Sequence, residues 1–189
     1  MNLSSYAELA VRLANTATQA DGEPDPLGST AACAKAFSDC ITAEVRRRDL
    51  EVLRYLRDEF TAIFTAAAAG DQKASVARLN GLLVQFPVQP ELVTHDDQRW
   101  HVHLAPHGTA SDQFAAGAVI GLTLMVSMYG VSRLGICAIA ACPRIFIDAS
   151  TNKSRRYCTE HGARGNVSTL RTPPALGVTG GNHATPAAS

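Results

Sequence analysis

Three cysteines and a histidine crowd into a short stretch near the end of this chain, and they constrain what that end can become. Cys137, Cys142, Cys158 and His161 follow the spacing Cys-x4-Cys-x15-Cys-x2-His. A tetrahedral zinc ion takes four nitrogen or sulfur donors, commonly as two pairs that turns bring together. Cys137 and Cys142 supply one pair, and Pro143 lies just beyond to end the turn. Cys158 and His161 fall on one face of a helical turn and supply the second. So short a lobe cannot build a large apolar core, and a bound ion would substitute for one. The competing reading is three inert thiols in a small lobe. The metal reading is favoured, with Zn2+ the expected ion and these four residues its expected ligands.

The remaining cysteines read differently. Cys33 and Cys40 lie seven residues apart on a predicted helix, where they suit small core positions better than ligand positions. Five cysteines is an odd count, and the N-terminal stretch MNLSSYAELAVRLANT lacks the charged and apolar regions of a secretory signal. A reducing, cytoplasmic setting is the expectation, with metal binding rather than disulfides.

Charge is distributed unevenly. The 189 residues carry 17 basic and 17 acidic groups and no net charge. Residues 133–189 hold seven Lys/Arg and two acids, a net +5, so residues 1–132 carry −5. A basic end on an acidic body suggests nucleic acid or another anion at that end. Solvated surface arginines would give the same count.

Hydrophobic periodicity organises the rest. Residues 3–18 predict an amphipathic helix through Leu3, Tyr6, Leu9, Ala10, Leu13 and Ala14. DGEPDPLGST (21–30) predicts a loop, after which Ser29 or Thr30 caps a helix over 31–46. Asp49 is the expected cap of the next helix, whose stripe of Leu50, Leu53, Leu56, Phe60, Ile63 and Phe64 runs to a stop near Gly70. A helix over 72–85 presents Val76, Leu79, Leu82 and Leu83 inward. The period then changes. Residues 91–106 predict two short strands around a turn at His95–Gln98, with Trp100, Val102 and Leu104 half-buried and His101 and His103 on an exposed polar face. Residues 114–131 contain no charge over 18 residues, the length of a membrane span. Their glycines, hydroxyls and many alanines favour a buried helix over about 110–130 instead, and no membrane partner is expected. RIFID (144–148) predicts a strand and DASTNKS a turn. The tail beyond Arg171 carries no charge and is rich in Pro and Gly, so 172–189 is expected to be disordered.

The segment CAIAACPRIFIDASTNKSRRYC is similar to the zinc finger named for its Cys-Gly-Asn-Arg signature. Phe146, Asp148, Ser150, Asn152, Ser154, Arg155, Arg156, Tyr157 and Cys158 match that pattern in order. The N-terminal part resembles the ABATE domain, regarded as a stress-induced transcription regulator. LANT (13–16), GEPDPL (22–27), the Arg- and Leu-rich helix near 50–64 and the strand pair carry that resemblance. Spacing and composition predict an α+β chain: a mostly helical domain with a β-hairpin over 1–132, a small zinc-finger-like lobe over 133–171, and the tail; the resemblance covers about residues 3–171. The family closes its cage with a Cys four or five residues after the third, where this chain has Gly162 and Ala163. His161 is the adjacent substitute.

The resemblance implies a cytoplasmic regulator acting in stress responses. Its finger would contact DNA, with Lys153, Arg155, Arg156, Arg164 and Arg171 meeting phosphates. Arg155 and Arg156 would alternatively bond to carbonyls of the knuckle or to Asp148. The second functional reading is a metal-stapled interaction module that locks the lobe onto the helical domain or onto a second subunit in a homodimer, without DNA. The chain shows no P-loop, no dinucleotide-binding glycine pattern and no nucleophile elbow, so enzyme activity and a small-molecule cofactor are not expected.

Overall fold

A computed structural model describes residues 3–18, 23–94, 100–105 and 107–162. Helices α1 (Leu3–Asn15), α2 (Thr30–Ala36), α3 (Arg47–Ala68), α4 (Gln72–Gln85) and α5 (Ala110–Tyr129) form the bulk. Two antiparallel strand pairs accompany them: β1 (Glu91–Val93) with β2 (His101–His103), and β3 (Leu134–Ile136) with β4 (Ile145–Ile147). A single turn, α6 (Thr159–Gly162), follows. The chain is α+β, as the sequence predicts.

α5 forms the centre because it is apolar on almost every side. Phe114, Ala115, Ala118, Val119 and Leu122 are fully buried, as expected of a helix without a polar face. By length and composition it could cross a bilayer, but 56% of its most apolar window is buried inside the protein. Its N-terminus is capped reciprocally: Thr109 Oγ1 accepts from Asp112 N, and the Asp112 carboxylate accepts from Thr109 N.

α1 packs along α5, and α3 lies against α1, α4 and β3. The α1–α5 approach is close enough to require a glycine. A Cβ added at Gly121 would stand 2.4 Å from Ala7 N and from the Tyr6 carbonyl carbon, so no side chain fits between the two backbones. Phe37 closes the core edge-on to Phe114, with ring centroids 5.1 Å apart.

Three local expectations are corrected. The helix expected over 31–46 stops at Ala36, because Phe37 turns into the core and the chain runs through a turn at 37–40. Cys33 is buried as expected, but Cys40 lies in that turn rather than on the helix. Ser29 is the cap, its Oγ accepting from Ala32 N. Asp49 is not the first cap of α3, which begins after Arg46; it sits three residues further on and bonds back to Arg46 N at 2.8 Å. Third, the β1–β2 hairpin leaves most of its apolar face uncovered: Leu92, Trp100 and Val102 remain 59%, 66% and 47% exposed, whereas Leu104 is half-buried as expected and His103 is half-buried rather than exposed. A two-stranded ribbon has no second layer of its own to bury that face against. The turn expected at 95–98 and the expected tail at 172–189 lie outside the described residues.

The loop before α2 carries more structure than composition implied. Asp25 accepts from Leu27 N and holds a short 3-10 turn at Pro26–Gly28. That turn sends Leu27 fully into the core. Arg57 pairs with Asp25 at 3.0 Å, and Arg54 donates to the Leu27 carbonyl.

Asp49 is the buried polar hub of the body. One carboxylate oxygen accepts from Ser111 N and Ser111 Oγ at 3.2 and 2.8 Å, and the other accepts from Arg46 N. Burial pushes its pKa up, but these donors outweigh burial and hold it below the usual carboxylate range.

Two glycine substitutions test the packing, and one carboxylate substitution tests the buried hub. Gly121→Ala destabilises the protein by roughly 2–3 kcal/mol despite the better helix propensity of Ala. Gly81→Ala, at a position on α4 where an added Cβ meets nothing within 4 Å, stabilises it by about 0.5–1 kcal/mol; urea titrations of both variants check the opposite signs. For Asp49→Asn, a folded pKa below the unfolded value means that the carboxylate stabilises fully above about pH 4. That contribution fades as pH falls through the folded pKa. The stability gap between wild type and Asp49→Asn, measured in urea, is therefore larger at pH 7 than at pH 3.

Candidate metal centre

The second strand pair builds the site. β3 and β4 pair Leu134 with Ile147, Gly135 with Phe146 and Ile136 with Ile145. All three residues of β4 are buried, rather than alternating as a half-exposed strand would. Gly135 makes room for the Phe146 ring, since a Cβ there would stand 2.6 Å from Phe146 Cζ. The pair then opens into a turn that carries Cys137 and Cys142. Cys137 N donates to the Arg144 carbonyl at 2.9 Å, and Cys142 N to the Ile139 carbonyl at 2.9 Å.

After β4, the Asp148 carboxylate folds the next loop around itself. It accepts from Ser150 N at 2.8 Å, from Ser150 Oγ at 2.5 Å and from Arg155 N at 3.1 Å. Ser150 Oγ in turn accepts from Ser154 N at 2.9 Å. The half-buried Arg133 guanidinium donates to the carbonyls of Asp148 and Ser150. Burial alone would raise the Asp148 pKa. Its hydrogen bonds from Ser150 and Arg155, with the charge of Arg133, hold it below the usual range instead. The polar residues at alternating positions from Asp148 to Ser154 are therefore turn chemistry.

This loop returns Cys158 and the α6 turn to the first cysteine pair. The four donor atoms of Cys137, Cys142, Cys158 and His161 all lie within 4.8 Å of one another. His161 Nδ1 is 3.3 Å from both Cys137 Sγ and Cys158 Sγ, and Cys142 Sγ is 3.9 Å from Cys158 Sγ. Zinc–sulfur and zinc–nitrogen bonds of about 2.3 and 2.0 Å place tetrahedral ligands roughly 3.5–3.8 Å apart. The donor set and its spacing thus fit a zinc ion, and every member of the expected quartet is present. The electrostatics agree. Burial raises the Cys137 thiol, but amide donors at Cys158 and Ile139, with His161 and Cys142 beside it, bring it down to about 7. Cys142 is pushed up to about 11 by burial and by the neighbouring thiols, despite a donor at Arg144. Neighbouring thiols oppose one another's ionisation, a repulsion that a bound cation would relieve.

A model of the ABATE family, "Putative stress-induced transcription regulator", matches residues 7–141. The chain belongs to the ABATE family. A model of the CGNR zinc finger matches residues 133–172 and so follows it in order. The two matches overlap across β3, and the hydrophobic core does likewise: Leu134, Ile145 and Ile147 belong to the same buried cluster as the helices. No curated protein matches the chain.

His161 stands beside the three thiols in a chain that lacks the fourth Cys expected from the resemblance. His161 is followed by Gly162-Ala163-Arg164.

The expected cationic residues divide. Arg155, expected among the phosphate contacts, instead turns its guanidinium into the lobe. It donates to the carbonyls of Tyr157 and Ile147 and to Thr159 Oγ1 at 3.0, 3.2 and 2.9 Å, and lies 5.1 Å from the Phe146 ring centroid. Lys153 and Arg156 are exposed, with Lys153 Nζ 3.3 Å from Ser132 Oγ. The Arg156 carbonyl accepts from Ala138 N. Arg164 and Arg171 lie outside the described residues. Arg144, which sequence reasoning did not single out as a contact, bridges Glu160 at 2.7 Å and the Thr18 carbonyl. It ties α6 to the end of the α1 segment.

The ligand quartet generates the next prediction. Protein purified without added metal carries about one zinc per chain, read by atomic emission. Cys142→Ser and His161→Ala each lower zinc affinity by at least about tenfold, whereas His161→Cys keeps one zinc per chain. Cobalt substitution gives tetrahedral visible bands in the wild type, and these are weakened in His161→Ala.

Proposed function

We propose that this ABATE-family protein is a zinc-binding regulator whose finger contacts DNA through Lys153 and Arg156, with Arg164 and Arg171 extending the same basic segment. The observation that carries this reading is the division of the arginines. Arg133, Arg144 and Arg155 are engaged within the protein. Lys153 and Arg156 stand exposed beside the metal knuckle, where phosphates can reach them. In this reading the ion shapes the lobe and takes no part in a reaction. Four protein donors fill a tetrahedral shell and leave no position for substrate, as in structural zinc sites. The protein is accordingly proposed to be a non-enzyme. Its five free cysteines suit a reducing cytoplasm.

A second reading has its own support. Leu134, Ile145 and Ile147 enter the common core, and Asn15 on α1 bonds to both Ile145 N and Ile145 O at 2.9 and 3.0 Å. A finger so embedded could serve to staple the chain, or to order a dimer surface, without touching DNA.

Binding to duplex DNA at low ionic strength, followed by fluorescence anisotropy, separates the two. Under the DNA reading, affinity falls steeply with salt. The double variant Lys153→Ala/Arg156→Ala lowers the slope of log K against log salt by roughly 2, about 0.9 for each lost phosphate contact. Its zinc content stays at wild-type level. Absence of DNA binding at low salt from zinc-loaded protein favours the stapling reading.

A further inference from the structure

A cleft of about 670 Å³ opens on the helical body between α1, α5, the turn that follows α2, and β2. It lies apart from the cysteine cluster and has no role in the proposed DNA contact. Its size falls within the range of small-molecule sites.

One wall is Trp100, the only tryptophan in the chain, which is 66% exposed. Tyr6 and Leu9 from α1 line the cleft with it. A large aromatic ring left in solvent beside a concave apolar surface offers a stacking face.

The polar side of the cleft is specific. Gln113 Oε1 accepts three hydrogen bonds, from Thr42 N at 2.9 Å, Thr42 Oγ1 at 3.1 Å and Ala43 N at 3.1 Å. Two of these donors are backbone amides, so the atom facing them must be the oxygen, and the amide orientation is fixed. The Gln113 NH2 group therefore faces away from the loop. Its hydrogen atoms have no partner among the described residues, and they are held by a side chain that the loop immobilises. The cleft also contains Asp39, whose two oxygens are both held by Arg12 at 2.6 and 2.9 Å. That carboxylate is thus already compensated by Arg12.

We propose that this cleft binds an uncharged planar aromatic molecule bearing a carbonyl oxygen. The ring stacks on Trp100 and the oxygen accepts from the Gln113 amide. The inference stands independently of whether the finger contacts DNA, since binding in the cleft is measured directly.

Coumarin, a flat uncharged aromatic lactone, is the probe, with δ-valerolactone as the same acceptor without an aromatic ring. The full-length, zinc-loaded protein is titrated by tryptophan fluorescence, and by ligand-observed saturation-transfer NMR for the variant that lacks the fluorophore. Coumarin is expected to quench Trp100 along a saturating curve, and δ-valerolactone to leave it unchanged. Gln113→Glu keeps an acceptor for Thr42 and Ala43 but replaces the donor with an oxygen; it is expected to weaken coumarin about tenfold. Trp100→Ala, at an exposed position, is expected to weaken it by a similar factor while leaving the thermal melt unchanged. Linear, non-saturating quenching overturns the proposal. So does coumarin affinity that is unchanged in both variants, or δ-valerolactone binding as well as coumarin.

Discussion

The close approach of α1 to α5 underlies most of what this protein builds. Two helix backbones meet at Gly121 with no space for a side chain, and the contact fixes α1 in both position and rotation. Every surface of α1 then has a task. Ala7, Ala10, Leu13 and Ala14 enter the core. Tyr6 and Leu9 border the cleft. Arg12 clamps Asp39 and lies 5.5 Å from the Phe37 ring centroid. Asn15 meets β4 at its backbone. Glu8 is partly buried; desolvation raises its pKa, and the charge of Arg155 in the finger opposes that rise. A small rotation of α1 would disturb the core, the cleft and the finger together, because packed helices move as rigid bodies rather than deforming locally.

The metal lobe is joined to the body rather than suspended from it. β3 lies against α3, and β4 against α1. The apolar side chains of both strands fill the core of the helical body. Small metal-bound folds commonly depend on their ion for nearly all their order. Here the strand pair has a second source of stability in the helices, and the ion's contribution concentrates on the turn at 137–142 and the segment around Cys158. Asp148 organises the loop between them, since a buried carboxylate that accepts several N–H and O–H donors fixes a tight turn without an apolar core. Asp148, Ser150, Ser154 and Arg155 thus secure geometry, while the side chains of Lys153 and Arg156 are exposed beside them.

Much of this was legible in the residues. Spacing alone brought together Cys137, Cys142, Cys158 and His161, because metal ligands must fall in pairs at turns. The helices α3 and α4 were legible from apolar stripes, α5 from its long uncharged run, and the end of α3 from Gly70, where the backbone takes φ of +82°. The end of α2 was not legible, because nothing in the local sequence reports that Phe37 has a place waiting beside Phe114. Nor was the exposure of the hairpin: an alternating pattern says that two faces differ, but only the arrangement of the helices decides whether anything covers the apolar one.

The sequence by itself determined the donor types, the helical periods, the turn chemistry of 148–155 and the charge imbalance between the two ends. These depend on neighbours within a few residues, or on counts. Tertiary structure alone decided which arginines face inward, that Asp49 binds Ser111 as well as the first turn of α3, that Gln113 Oε1 is held by Thr42 and Ala43, and that the strands of the metal lobe share the core of the body. Each of those outcomes depends on a partner far away in the chain, and a one-dimensional pattern carries no information about which distant group will arrive.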